Sequence, residues 1–140
     1  MKDKKGMCPG GLTDAQWDRV EYAAYNRMTA DARAKVLALL RRGKIHAKAN
    51  LTVRGRPAAA EATVIPGHVT IDEGSFSYRI GDFAFVVAHE ARHTEQWLIL
   101  WPDSKEADAD ASGCSNTWGR VSYFAGAYRA TLGPCGSGLP

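Results

Sequence analysis

The chain has no Cys-x-x-Cys pair, no apolar run near membrane-spanning length, no internal repeat, and no acidic residue between positions 33 and 56. Each absence removes a reading. With only Cys8, Cys114 and Cys135 and no such pair among them, cysteine ligation of zinc is not expected. Cys8 and Cys135 lie in Gly/Pro-rich terminal stretches that a covalent tie would order. A Cys8–Cys135 or Cys114–Cys135 bridge and three reduced thiols therefore both stand as states to be distinguished. A bilayer-spanning helix needs about 20 apolar residues, and none of the apolar runs approaches that. The basic start, Met1-Lys2-Asp3-Lys4-Lys5-Gly6, has no apolar region after it. No signal peptide is expected, which suits a cytoplasmic protein or one delivered as part of a larger chain.

What is present is ordinary in bulk. The 140 residues are 45% hydrophobic and 24% charged, with a net charge of +3, which suits one compact unit. The expected organisation is a flexible leader over 1–11, a single domain over 12–132 and a flexible tail over 133–140. The charge is unevenly spread. Arg33, Lys35, Arg41, Arg42, Lys44, Lys48, Arg54 and Arg56 form a one-signed run. Such a run reads either as a solvated face or as a surface for nucleic acid or another polyanion. No nucleic-acid motif accompanies it.

Thr13 or Asp14 can cap a helix to about Met28, with Trp17, Val20, Ala24 and Met28 on one side. Thr29 caps a second helix carrying Ala32, Val36, Leu39 and Leu40 inward, with Gly43 as its stop. From 44 to 73 the apolar period drops to two. Ile45, Ala47, Ala49, Leu51 and Val53 alternate with polar residues, and Thr63-Val64-Ile65 and Val69-Thr70-Ile71 flank a Pro66-Gly67 turn. Asp82 is a candidate N-cap for a helix beginning Phe83-Ala84-Phe85-Val86-Val87-Ala88 and ended by Trp101-Pro102. Asp103 or Ser104 can cap a helix over 105–112, and a last one is expected over 118–130. The fold class is α+β: a small, mainly antiparallel or mixed sheet packed on one central helix, with further helices at both ends.

The central helix carries His89-Glu90-Ala91-Arg92-His93. Residues four apart share a helix face, so both imidazoles can reach one metal ion, and Glu90 can polarise a water at that metal. The competing reading is a pair of core histidines bonded to their neighbours. A catalytic zinc usually takes a third protein ligand and leaves one position open. Asp103, Glu106, Asp108 and Asp110 follow the motif, with Glu106 and Asp110 on one face and Asp108 pointing elsewhere. If the next helix folds back antiparallel, His93 comes level with Glu106 and His89 with Asp110. Glu106 then binds the metal, and Asp110 accepts the second ring N–H of a ligand histidine. This arrangement asks the motif helix to end near Leu98 or Ile99. Asp110 is the alternative third ligand, and helix capping is the structural reading of Glu106. His46 and His68 are either alternative ligands or surface and site-rim residues.

His89-Glu90-x-x-His93 followed by Glu106-x-x-x-Asp110 resembles the gluzincin zinc peptidases. The compact size and the Glu106-Ala107-Asp108-Ala109-Asp110-Ala111 run resemble minimal gluzincins and the metallopeptidase toxin domains of bacterial polymorphic-toxin systems. The resemblance covers about residues 69–112. It implies a zincin-like fold with one Zn²⁺ on His89, His93 and Glu106, Glu90 as general base, and Asp110 behind the ligands. It also implies hydrolysis of peptide bonds in a protein or peptide substrate, held as an added strand by an edge such as Val69 to Ile71. A toxin would bring a cognate inhibitor or immunity protein as partner. The interval from His93 to Glu106 is shorter than in thermolysin. No residue matches the family's transition-state donor, for which Tyr123, Tyr128, Arg120 and His68 are candidates. Two further readings stand beside the peptidase: a non-catalytic zinc-stabilised binding domain, and a basic adaptor for nucleic acid or another polyanion through residues 33–56.

Overall fold

A computed structural model describes residues 6–63, 66–96 and 102–120. Among them are four α-helices and a small mixed sheet, an α+β arrangement. Helix α1 (Asp14–Arg27) opens on a capping box. Thr13 Oγ1 accepts from the Gln16 N–H, and the Gln16 side chain accepts from the Thr13 N–H. Helix α2 (Ala30–Arg41) is capped by Thr29 and closed by Gly43 at φ 72°. Val20, Ala24, Met28, Val36 and Leu40 are fully buried, while Trp17, Ala32 and Leu39 pack partly buried against that core.

The period-two stretch is two strands rather than one. β1 (Ile45–Lys48) and β2 (Thr52–Val53) are separated by Ala49, Asn50 and Leu51, with Asn50 at φ 54°. Asn tolerates the left-handed region better than most residues. The Asp72 carboxylate then captures the Leu51 N–H at 2.8 Å, which holds the break. β2 pairs with β3 (Arg56–Pro57) around Arg54 and Gly55, both at positive φ, as two-residue hairpins require.

The main sheet has the order β1-β5-β4, with β4 at Ala60–Thr63 and β5 at His68–Asp72. β5 is parallel to β1 (Ile45 beside Val69) and antiparallel to β4 (Ala62 beside Val69). The strand containing Val69 to Ile71 was expected at an edge. It is the middle strand, paired on both sides, so it has no ladder positions left for an incoming chain. Val64 and Ile65 lie outside the described residues.

Helix α3 (Ile80–His93) is the centre of the molecule, with α1 and α2, β4 and β5, and α4 (Pro102–Asn116) all packed on it. Every residue from Gly81 to Ala91 is buried. Burial all round stabilises a helix whose Val86-Val87 pair and Gly81 favour it only weakly in isolation. Its N-cap is Arg79 rather than Asp82, which lies inside the first turn, where a carboxylate complements the helix dipole. The helix ends at His93, earlier than expected. Thr94 Oγ1 bonds the Ala91 carbonyl at 2.6 Å, and the next N–H groups tighten to i−3 partners. Trp97 to Trp101 lie outside the described residues.

Helix α4 begins at Pro102, a residue suited to a first helical turn, rather than after an Asp103 or Ser104 cap. Residues 118–120 are not helical, and the rest of the helix expected over 118–130 lies outside the described residues. Cys8 to Leu12, assigned by composition largely to the leader, closes a short bridge that packs on β1. The Cys8 thiol donates to the Asp14 carboxylate at 3.3 Å, whereas Cys114 is disulfide-bonded. Residues 1–5, Cys135 and the 133–140 tail lie outside the described residues. No helix among the described residues is long and apolar enough to cross a membrane.

Candidate metal centre

The antiparallel seam between α3 and α4 brings together the residues that the sequence pairs. His93 Nε2 lies 3.0 Å from Glu106 Oε1, and His89 Nδ1 lies 2.9 Å from Asp110 Oδ1. Both pairings hold although α3 ends at His93, because the level of α4 against α3 sets them rather than the last helical residue. Arg92 and Asp108 meet on the adjoining side at 2.7 Å, so Asp108 does point elsewhere.

Two ring nitrogens and a carboxylate converge. His89 Nε2 and His93 Nε2 are 3.1 Å apart, Glu106 Oε2 lies 3.2 Å from the first, and Glu106 Oε1 lies 3.0 Å from the second. Donors around one tetrahedral zinc, with bonds of about 2.0–2.1 Å, are separated by about 3.3–3.4 Å. The triangle is therefore of a size that one first-row divalent ion draws together.

The outer atoms of both rings are already committed. His93 Nδ1 faces Gln96 Oε1 at 2.7 Å. The Gln96 amide nitrogen donates to Asp108 Oδ2 at 2.8 Å and to the Lys105 carbonyl at 3.0 Å, so its oxygen faces the ring and His93 Nδ1 is the donor. His89 Nδ1 sits against the acceptor-only Asp110 carboxylate in a close ionic contact that falls short of an aligned hydrogen bond. Both neutral rings therefore turn an Nε2 lone pair inward, toward each other and toward a carboxylate. Three converging acceptors repel unless a cation lies among them.

Protons are the competing cations. Burial alone would lower the His89 pKa, but contacts with Asp110 and Glu106 and the charge of Glu90 outweigh it and raise it to about 9. His93 is raised by Glu106 and Glu90 against its burial and the neighbouring His89. Burial would raise the Glu106 carboxyl, yet its bonds to the two rings hold it well below the usual carboxylate range. Full protonation sets two imidazolium Nε2–H groups 3.1 Å apart. A single divalent ion would satisfy the same three groups without that repulsion.

The charge balance agrees. Among the described residues, the buried charged side chains are Asp82, Glu90 and Asp110 against Arg120 and, while it holds its second proton, His89. A Glu90 oxygen and one nitrogen from each histidine all lie within 4.8 Å of one another, so Glu90 adjoins the triangle. The Glu106 side chain is 40% exposed and His93 14%, which makes that side the open one.

The other expected residues lie elsewhere. His68 and His46 bond each other across β5 and β1, on the sheet face away from Val69 and Ile71 and hence away from α3. Arg120 is buried over the Phe85 ring, near Asp82 and Asp110 rather than on the open side. Tyr123 and Tyr128 lie outside the described residues. Sequence reasoning missed Gln96 as the anchor of His93. Its place three residues after the second histidine, on the same helical stripe, was the available signal. Compared with protein-family models, curated proteins and solved structures, the chain has no match.

Proposed function

We propose that the protein is a zinc metallopeptidase, a zincin-like hydrolase acting on peptide bonds of a protein or peptide substrate. One observation carries the reading: His89 Nε2, His93 Nε2 and Glu106 converge as three acceptors within 3.2 Å, with the outer ring nitrogens engaged by Asp110 and Gln96. Zinc bound by these residues supplies acidification of a water and polarisation of a carbonyl. The chain's own groups do the rest. Asp110 and Gln96 hold the imidazoles in the tautomer that presents Nε2. Glu90, buried beside the pair, takes the proton of the attacking water as its oxygen bonds to the carbonyl carbon. Glu90 then delivers that proton to the amine nitrogen as the C–N bond breaks. The exposed flank of Glu106 is where a substrate carbonyl enters. A substrate held by strand addition uses the edge of β4, which packs on α3.

The open flank also favours catalysis over a purely structural zinc, which takes four protein ligands. The basic run does not form a bare cationic surface throughout. Lys35 pairs with Glu95 at 2.9 Å, and Arg33 stacks on Tyr25 at 5.5 Å.

The test joins metal analysis of purified protein to hydrolysis of a fluorogenic peptide library, with and without chelator. Glu90→Gln should keep its zinc and lose roughly 10²–10⁴-fold in hydrolysis. Wild-type turnover in that variant removes the enzyme reading and leaves a structural zinc.

A further inference from the structure

Behind His93 a chain of hydrogen bonds runs outward to a pair that the hydrolytic reading does not use, Arg92 of α3 and Asp108 of α4. Gln96 links the two ends. It is 4% exposed and lies just beyond α3, where the helical bonds have tightened to i−3 contacts, and its side chain bonds to α4. Its amide nitrogen donates both protons, to the Lys105 carbonyl at 3.0 Å and to Asp108 Oδ2 at 2.8 Å, and its oxygen faces His93 Nδ1 at 2.7 Å. Arg92 grips the same carboxylate across the seam, with Nε on Oδ2 at 2.7 Å and Nη2 on Oδ1 at 3.3 Å.

A side-chain amide has two ends of nearly equal size, one a donor and the other an acceptor, so Gln96 can present either to a ring nitrogen. With the oxygen toward His93, Nδ1 holds the proton and Nε2 keeps its lone pair. With the nitrogen toward His93, Nδ1 must accept, the proton moves to Nε2, and the metal loses a ligand. Asp108 weighs against the second state, because a flipped amide sets its oxygen against an acceptor-only carboxylate as well as the Lys105 carbonyl. The carbonyl is fixed in the backbone of α4, but the Asp108 side chain is 34% exposed and has water as its alternative partner. The two bonds from Arg92 hold Oδ2 on Gln96 instead, since a forked guanidinium–carboxylate grip fixes orientation as well as charge.

We infer that Arg92 and Asp108 are positioning residues of the metal centre: together they lock the Gln96 amide with its oxygen toward His93, and so keep the His93 Nε2 lone pair facing the metal. This rests on the metal reading above but not on peptide hydrolysis. It also gives a task to the one carboxylate of α4 that points away from the metal, and to the residue just before the second histidine.

Zinc affinity, measured by competition with a chromophoric chelator, tests it. Removing the outer partner of a metal-binding histidine typically costs roughly 10–100-fold in affinity. Asp108→Ala, one contact further out, should weaken zinc about tenfold, at the lower end of that range. Arg92→Gln should cost less, and the two together no more than Asp108→Ala alone, since both act through one contact. Gln96→Glu added to Asp108→Ala should recover most of the loss. That double variant keeps the wild-type net charge, and a carboxylate has no donor end to turn toward His93. Unchanged zinc affinity in Asp108→Ala or in Arg92→Gln overturns the inference, even if the variant melts earlier, because a purely packing role moves stability alone. A loss in Asp108→Ala that Gln96→Glu fails to recover overturns it as well. If Asp108→Ala does not fold, Arg92→Gln decides by itself: weaker zinc binding supports the inference and unchanged binding overturns it. A wild-type protein that binds no zinc fails the metal reading itself, whereas a zinc-binding wild type matched by Asp108→Ala fails only this role.

Discussion

The molecule has four histidines, and they fall into two pairs that use the same chemistry to opposite ends. In the sheet, His46 Nδ1 lies 2.9 Å from the Gly10 carbonyl, and His46 Nε2 lies 2.7 Å from His68 Nδ1. The carbonyl can only accept, so His46 Nδ1 carries its proton, and its Nε2 accepts from His68. Donor meets acceptor at each contact, and the pair closes on itself. In the α3–α4 seam the protons point outward, to Asp110 and Gln96, and the two Nε2 lone pairs face each other across 3.1 Å with Glu106 between. Proximity is common to both pairs. What separates a satisfied structural pair from a candidate cation site is where the ring protons are held, and Asp110 and Gln96 face them here.

The comparison breaks most visibly on ligand removal. His93→Ala should lower zinc affinity by roughly 10²–10⁴-fold, as expected when one of three ligands carries about a third of a binding energy of about 10–16 kcal/mol. His68→Ala should leave it unchanged, and chelator competition on the two variants side by side reads the contrast. A smaller effect follows from the residue that holds the ring proton. Asp110→Asn should cost about 10–100-fold in zinc affinity while the fold survives.

The pH dependence separates the metal-free from the loaded protein. A histidine raised on folding stabilises the fold fully below its unfolded pKa, and the contribution is lost as pH rises through the folded value. With His89 raised from 6.5 to about 9, the metal-free protein should be most stable below pH 6.5 and lose stability toward pH 9. The loss should be up to roughly 3 kcal/mol. Apparent zinc affinity should rise over the same window as protons leave the ligands. Denaturation midpoints against pH, in chelator and in zinc, check both trends, and a flat metal-free profile counts against the converging acceptors. The smallest effect belongs to the sheet pair. His46→Gln should change stability by about 1 kcal/mol with zinc affinity untouched.

Much of the site was legible because helical period and antiparallel level are arithmetic. The spacing of His89 and His93, and the pairing of His93 with Glu106 and His89 with Asp110, follow from residue numbers alone. The helices capped by Thr13 and Thr29 were legible for the same reason, since capping is local chemistry. Strand order was not legible, because it depends on which β partner lies beside which. Val69 to Ile71 reads the same at an edge or in the middle. The end of α3 was missed because a Thr94 hydroxyl turning onto Ala91 leaves no periodic trace. Asp82 looked like a cap because its type suits one. It lies buried at the start of α3, where Gly119 and Arg120 press on Gly81, a glycine contact that no sequence pattern announces.

Zinc stoichiometry of the folded protein, with X-ray absorption at the zinc edge, decides whether the seam holds a metal. One zinc per chain is expected, with two imidazole nitrogens and a carboxylate oxygen at about 2.0–2.1 Å, and loss of that zinc in His93→Ala but not in His68→Ala. Folded protein that carries no zinc and takes up none on titration contradicts it.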